Sequence, residues 1–171
     1  MKMIINKTSN ISSDLLEKIA KNSPWEGLSK QLLTEKPTDI WVKAVKENIS
    51  SCLLSDAGEL VSYGCFGNKW ELFEEIVSSC GFKLEEIFVG IYLYTVVKYQ
   101  NQGNAKRLKA FQLSYIKEKY PKIKYLLGST SKKELLKKYK SWWAKSIDAK
   151  ITDLLRQEWL EKEYFYYYEI R

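Results

Sequence analysis

The sequence contains no histidine. This absence excludes histidine-based catalytic triads, zinc sites of the HExxH type and any imidazole general base. Cysteine is scarce: Cys52, Cys65 and Cys80 are an odd number of residues at wide spacing. Such spacing favours neither a disulfide framework nor a metal cluster, and we expect three small buried side chains. Acid–base chemistry would therefore fall to Glu, Asp, Tyr, Lys, Cys or water.

Long hydrophobic runs are also missing. No apolar run is long enough to span a bilayer, and the first residues, MKMIINKTSN, do not resemble a signal peptide. These two absences predict a cytoplasmic protein with no membrane span. A length of 171 residues with 45% hydrophobic content predicts one domain over residues 1–171.

Positive charge is in excess, because 28 Lys and Arg residues face 21 Asp and Glu residues and give a net charge of +7. Such a field attracts anions such as nucleic acid, anionic lipid or phosphorylated ligands. A basic stretch comprises Lys132, Lys133, Lys137, Lys138, Lys140 and Lys145. Lysines on the polar side of an amphipathic helix are usually a solvated face, so nucleic acid is the less favoured partner.

Hydrophobic patterning predicts an α/β protein. Strands are expected at Ile49–Leu54, Leu60–Phe66, Ile87–Val97, Ile123–Leu127 and Tyr164–Ile170. The first two would form a hairpin around the turn Asp56–Gly58, and Ile87–Val97 would be a central strand buried on both faces.

Helical spacing of apolar residues predicts the remaining elements. Helices are expected at Asn68–Cys80, from Gly103 to Pro121, after a capping box Ser131–Glu134, in the opening third of the chain from Ser12, and over Ile151–Leu160. Among the aromatic residues, Trp142, Trp143 and the group Tyr164–Tyr168 are expected in the core, since an amphipathic helix and an alternating strand would bury them.

The most informative segment is the junction between the central strand and the helix that follows it. Here Gln100, Gly103 and Ala105 match the pattern Q/R-x-x-G-x-G/A, so the segment resembles the acyl-CoA-binding signature of the GNAT superfamily of N-acyltransferases. The context agrees, because the pattern follows a buried strand and opens a helix. Exposed amides of such a loop and the positive end of the helix dipole form a site for a pyrophosphate.

The resemblance covers roughly residues 45–145. The hairpin segment Gly58–Val61 is similar to the family's hairpin before the signature strand, and Tyr139 resembles its late tyrosine. The sequence departs from the family at Lys132, where asparagine is common, and at Trp142, which replaces the usual glycine. Its segment Asn68–Leu84 also inserts a helix where the family commonly has a tight hairpin. These departures concern the acceptor side more than the donor side.

The resemblance implies a GNAT-like single domain with a mixed central sheet flanked by helices. It also implies an enzyme that moves an acyl group from acyl-CoA to an amine of a peptide, protein or small molecule by direct attack on the thioester, without a metal. The implied donor-binding residues are Tyr94, Thr95, Val96, Gln100, Asn101, Gln102, Gly103, Asn104, Ala105 and Lys106.

The resemblance implies one catalytic role, and the absence of histidine suggests a second. Tyr139 matches the family's tyrosine that protonates the leaving thiolate. A base or a water chain must take the proton of the amine, and without histidine the natural candidate is a carboxylate. Glu85 and Glu86 precede the central strand, a few residues upstream of the family's usual base, and Glu86 is the candidate general base. Two alternatives remain open: a toxin-like aminoacyl-tRNA acetyltransferase, and a non-catalytic module that binds acyl-CoA or nucleic acid.

Overall fold

The protein is described by a computed structural model. It describes residues 1–6, 47–69, 73–130, 132–147 and 164–171. The helices predicted in the opening third and over Ile151–Leu160 lie outside these ranges.

The described residues form an α/β structure with a mixed sheet. Its strands are β1 (Lys2–Asn6), β2 (Ile49–Leu54), β3 (Leu60–Gly67), β4 (Ile87–Thr95), β5 (Tyr125–Thr130), β6 (Lys145–Ser146) and β7 (Tyr164–Glu169). They are ordered β1-β2-β3-β4-β5-β7-β6. The helices are α1 (Phe73–Ser79), α2 (Asn104–Lys119) and α3 (Lys133–Ser141), with 3-10 turns at Leu84–Glu86 and Val97–Tyr99. The predicted α/β class with a mixed sheet is confirmed.

Two compact units make up the chain. The first contains residues 1–69 and 91–111, and the second contains residues 70–90 and 112–171. Strand β4 and helix α2 each contribute residues to both units. That residues 1–171 form one domain stays a prediction.

In the first unit, β2 and β3 form the predicted antiparallel hairpin, with Ile49 opposite Phe66. Gly58 in its turn has a φ of 75°, which suits glycine. All eight residues of β3 are buried, so this strand lies at the centre of the unit's core. Strand β1 pairs antiparallel with β2 and was not predicted, although its residues Met3–Ile5 form a short apolar run.

In the second unit, β5 pairs with β4 in parallel, with Ile87 opposite Tyr125, and with β7 antiparallel, with Tyr125 opposite Glu169. Aromatic rings fill the space beside these strands. The ring of Phe82 lies 4.9 Å from that of Tyr125 and 5.4 Å from that of Tyr167. Offset and edge-on ring contacts of this kind stabilise a core beyond the area they bury.

Several predicted boundaries need correction. Strand β4 ends at Thr95, and only Ile87–Val89 are fully buried, so burial on both faces holds for a third of the strand. Strand β5 begins at Tyr125 rather than at Ile123, because the Ile123 amide closes a turn with the Tyr120 carbonyl at 2.9 Å.

Helix boundaries differ as well. The predicted start of helix α1 at Asn68 is wrong, because residues 68 and 69 are not helical and the backbone of Lys69 instead bonds to the Asn48 side chain. Residues 70–72 lie outside the described residues, and the helix is described from Phe73 to Ser79. Helix α3 has Lys132 at its N-cap, without a side-chain capping hydrogen bond. Ser131, the predicted cap, lies outside the described residues.

The predicted aromatic core is mostly confirmed. Phe165, Tyr166 and Tyr168 are buried, and Trp142 is half-buried. The prediction is wrong for Trp143, whose side chain is 60% exposed. The cause is a left-handed backbone: at Trp143 φ is 75°, so the chain turns and the side chain leaves the apolar face that Tyr139 and Trp142 share.

No helix in the described part of the chain is long and apolar enough to cross a membrane.

Candidate active site

The predicted donor-binding residues meet in the first unit, at the end of β4. Tyr94, Thr95 and Val96 are half-exposed there, and the 3-10 turn Val97–Tyr99 follows. Two contacts fix this strand end to β3: the Val96 amide donates to the Val61 carbonyl at 3.0 Å, and the hydroxyls of Ser62 and Thr95 lie 2.7 Å apart.

The loop after this turn has a special backbone. Asn101 has a φ of 58° and Gly103 a φ of 78°, two left-handed residues within three positions. Asparagine and glycine are the residues that adopt this conformation most readily. Left-handed residues reverse the direction of successive amides, and such loops commonly form concave anion sites.

Amide side chains bind the carbonyls of this loop. Gln100 Nε2 donates to the Thr95 carbonyl at 3.0 Å, Gln102 Nε2 to the Lys98 carbonyl at 3.2 Å, and Asn104 Nδ2 to the Tyr99 carbonyl at 3.0 Å. These bonds occupy carbonyl oxygens, which would repel an anion, and they hold the loop in shape. The pattern of the signature did not predict this role for the side chain of Gln100.

The loop leads directly into the first turn of α2. The first hydrogen bond of that helix runs from the Arg107 amide to the Gly103 carbonyl at 3.0 Å. The amides of Asn104 and Ala105 precede it and therefore have no acceptor within the helix. At this end the helix dipole is positive, and the side chains of Lys106 and Arg107 add charge.

Space in front of Gly103 is open. A Cβ built on this residue would meet no heavy atom within 4 Å. An open position, amides without an acceptor in the helix, and positive charge together fit a phosphate group, as the pyrophosphate of acyl-CoA would require.

Glu59 supports the same loop from the hairpin. Its carboxylate accepts hydrogen bonds from Lys98 Nζ at 2.7 Å and from the Tyr99 hydroxyl at 2.5 Å. Hydrogen bonding to this carboxylate raises the pKa of Lys98. The hairpin therefore positions the 3-10 turn, a role that spacing along the sequence could not reveal.

Tyr139 lies in the second unit and is buried on α3. Its ring centroid is 4.8 Å from that of Tyr166 and 5.4 Å from that of Trp142. Burial, with Tyr139 close by, raises the pKa of the Tyr168 phenol. Tyr139 therefore packs between the rings of Tyr166 and Trp142, and its role as an acid stays a prediction.

Glu86 also lies in the second unit, directly before β4. Its carboxylate accepts a hydrogen bond from Lys124 Nζ at 2.6 Å, which lowers the pKa of Glu86. A lowered pKa makes a carboxylate a weaker base. Its role as the general base stays a prediction, and the ion pair with Lys124 argues against that role.

The three cysteines are buried, as predicted. Burial raises the pKa of each of Cys52, Cys65 and Cys80 to about 12. Thiols in that state are poor nucleophiles, so nothing at these positions favours a covalent acyl-cysteine intermediate.

Comparisons with known proteins agree on the fold. No protein-family model matches the chain. No curated protein matches it either. Among solved structures, Tetrahymena GCN5 matches with a TM-score of 0.65 and 13% identity, over 100% of this chain and 97% of that one. An acyl-CoA N-acyltransferase from Pseudomonas aeruginosa matches with a TM-score of 0.65 and 11% identity, over 98% of each chain.

A third structure is N-acetylglutamate synthase from Neisseria gonorrhoeae in complex with coenzyme A and N-acetyl-glutamate. It matches with a TM-score of 0.64 and 13% identity, over 100% of this chain and 36% of that protein. This chain therefore spans about a third of the length of that synthase. Together these neighbours show that the chain has the GNAT fold.

Proposed function

We propose that this protein is an acyl-CoA-dependent N-acyltransferase that moves an acyl group onto an amine. The observation that carries the proposal is the backbone at Gln100–Asn104, where two left-handed residues turn the loop and lead into the amino end of a long helix. Within a GNAT fold, amides at this position suit the pyrophosphate of CoA. Neighbours of the same fold include one with coenzyme A bound and one named as an acyl-CoA N-acyltransferase.

Acyl-CoA would supply an activated thioester, and the residues of this chain would hold it. The amides of Asn104 and Ala105, with Lys106 beside them, would bind the pyrophosphate. The strand end Tyr94–Val96 would hold the pantetheine and polarise the thioester carbonyl through backbone amides. Half-exposure of this strand end supports that role, since a ligand needs access to the backbone.

The reaction also requires two proton transfers, one from the amine and one to the leaving thiolate. An alkyl amine has a pKa of about 10.4, so it must lose a proton before it attacks. Glu86 would accept that proton, directly or through water, although its ion pair with Lys124 lowers its basicity. Tyr139 would give a proton to the departing thiolate.

The proposal is tested by incubating the protein with acetyl-CoA and longer acyl-CoAs against free amino acids, peptides and aminoglycosides. Released CoA thiol and the mass gain of the acceptor are both measured. Transfer to any amine supports the proposal. CoA binding without transfer to any acceptor would favour a non-catalytic acyl-CoA-binding module, and absence of CoA binding would contradict the donor site.

A further inference from the structure

An exposed tryptophan stands at the end of α3, where a glycine would be expected. The amides of Trp143 and Ala144 donate to the carbonyls of Lys140 and Tyr139 at 3.2 and 3.0 Å. Together with a φ of 75° at Trp143, these bonds form a Schellman motif, in which the left-handed residue is usually glycine. A large side chain at this position strains the backbone, and such strain is often retained for a function.

The strained residue lines a pocket of about 530 Å³ within the second unit. Its other lining side chains include Lys117, Lys145, Glu169 and Arg171. The lining of the pocket therefore carries three cationic side chains and one carboxylate. Glu169 forms ion pairs with Lys145 and Arg171, which hold those two cations at the pocket wall.

Positive charge continues along α3. The exposed lysines of this helix and its N-cap are Lys132, Lys133, Lys137, Lys138 and Lys140, and Glu134 is the acidic residue among them. Because the Trp143 amide bonds to the Lys140 carbonyl, the basic helix ends at the tryptophan. A basic surface therefore leads to an exposed aromatic ring beside a cationic pocket.

We propose that this surface, formed by α3, Trp143 and the pocket beside it, binds single-stranded nucleic acid. Trp143 would stack on a base, while Lys117, Lys145 and Arg171 would contact phosphates. Stacking on an aromatic ring beside a positive groove is the general way in which proteins bind single strands. An acidic peptide would use the cations but not the ring. A second copy of this chain, with its own net charge of +7, would be repelled by the same surface.

Nucleic-acid binding at this surface is independent of acyl transfer and is measured without acyl-CoA. The probe is a fluorescein-labelled oligouridine or oligothymidine of about twelve nucleotides, and the readout is fluorescence anisotropy. Between about 50 and 200 mM salt, three phosphate contacts predict a slope of log affinity against log salt of about −2, at about −0.7 per contact on a single strand. Lys145→Ala should make that slope shallower by about 0.7. Lys122→Ala removes an exposed lysine outside the pocket and should leave it unchanged.

The decisive variant is Trp143→Gly. Glycine relieves the left-handed strain, so the melting temperature should stay or rise, while affinity for the oligonucleotide should fall about tenfold. Trp143→Phe keeps an aromatic ring and should retain most of the affinity. Unchanged affinity in Trp143→Gly would overturn the proposal. So would equal competition by a poly-glutamate peptide, or self-association that Trp143→Gly abolishes.

Discussion

The ring of Tyr166 lies directly over Gly128. A Cβ built on Gly128 would stand 2.6 Å from Cζ of that ring. Tyr166 cannot easily move away, because it is buried and contacts the rings of Tyr139 and Tyr168. The position of Tyr139, the predicted acid, therefore depends on Gly128, which has no side chain that would displace the Tyr166 ring.

Gly128→Ala should destabilise the protein by about 1–3 kcal/mol, the usual cost of overpacking a core. Because the displaced Tyr166 ring would push on Tyr139, turnover should fall as well. CoA affinity should stay the same, since the phosphate loop lies in the first unit. Chemical denaturation, steady-state kinetics and calorimetry measure the three effects. A variant as stable as wild type would contradict the packing argument.

Gly103→Val should weaken CoA binding by at least about tenfold, that is by about 1.4 kcal/mol or more. Valine disfavours a φ of 78°, so the loop amides would turn away from the phosphate. Gly81→Val is the matched control, because Gly81 has a φ of 74° and equally open space around its Cβ position. Both variants should lose about 1–2 kcal/mol of stability, but only the first should lose CoA in calorimetry. Equal CoA affinity in both would remove the phosphate-loop assignment.

Tyr139→Phe should lower turnover about 10²-fold, the lower end for a general acid, with CoA affinity unchanged. The phenyl ring would keep its packing against Tyr166, so the melting temperature should change little. Tyr125→Phe removes a phenol from the other aromatic cluster of the same unit and should keep full turnover. Wild-type turnover in Tyr139→Phe would show that water protonates the leaving thiolate.

Lys124→Met should raise the pKa of Glu86, because the hydrogen bond from Lys124 is the main cause that lowers it. NMR titration of the carboxyl group measures this directly. If Glu86 is the base, the acidic limb of the pH–rate profile should move to higher pH in Lys124→Met and disappear in Glu86→Gln. A limb that stays in place in both variants would assign the base to another group or to water.

The burial of the three cysteines can be tested without a substrate, through the reactivity of their thiols. With pKa values of about 12, Cys52, Cys65 and Cys80 should react very slowly with Ellman's reagent near neutral pH in the folded protein. All three should react at once in guanidinium chloride. Rapid labelling of one thiol in the folded state would show that its surroundings open on the time scale of the assay.

Local features of the donor side follow from the sequence alone. Periodicity located the hairpin, β4, α2 and β7, and the pattern at Gln100, Gly103 and Ala105 located the junction where β4 meets α2, since a strand, a turn and a helix start depend on neighbouring residues. The absence of histidine likewise limits the acid–base chemistry of the protein, whatever its fold.

Other features depend on contacts between residues far apart in the sequence, and these contacts exist only in the folded chain. Glu59 reaches Tyr99 across forty positions, and Lys124 binds Glu86 across thirty-eight. Trp143 satisfies the pattern of a core residue, but hydrogen bonds at the end of α3 give it a left-handed backbone and expose it. Periodicity indicates which face of a helix a residue belongs to. Capping hydrogen bonds and the packing around them determine where the helix ends, and beyond that end the face no longer continues.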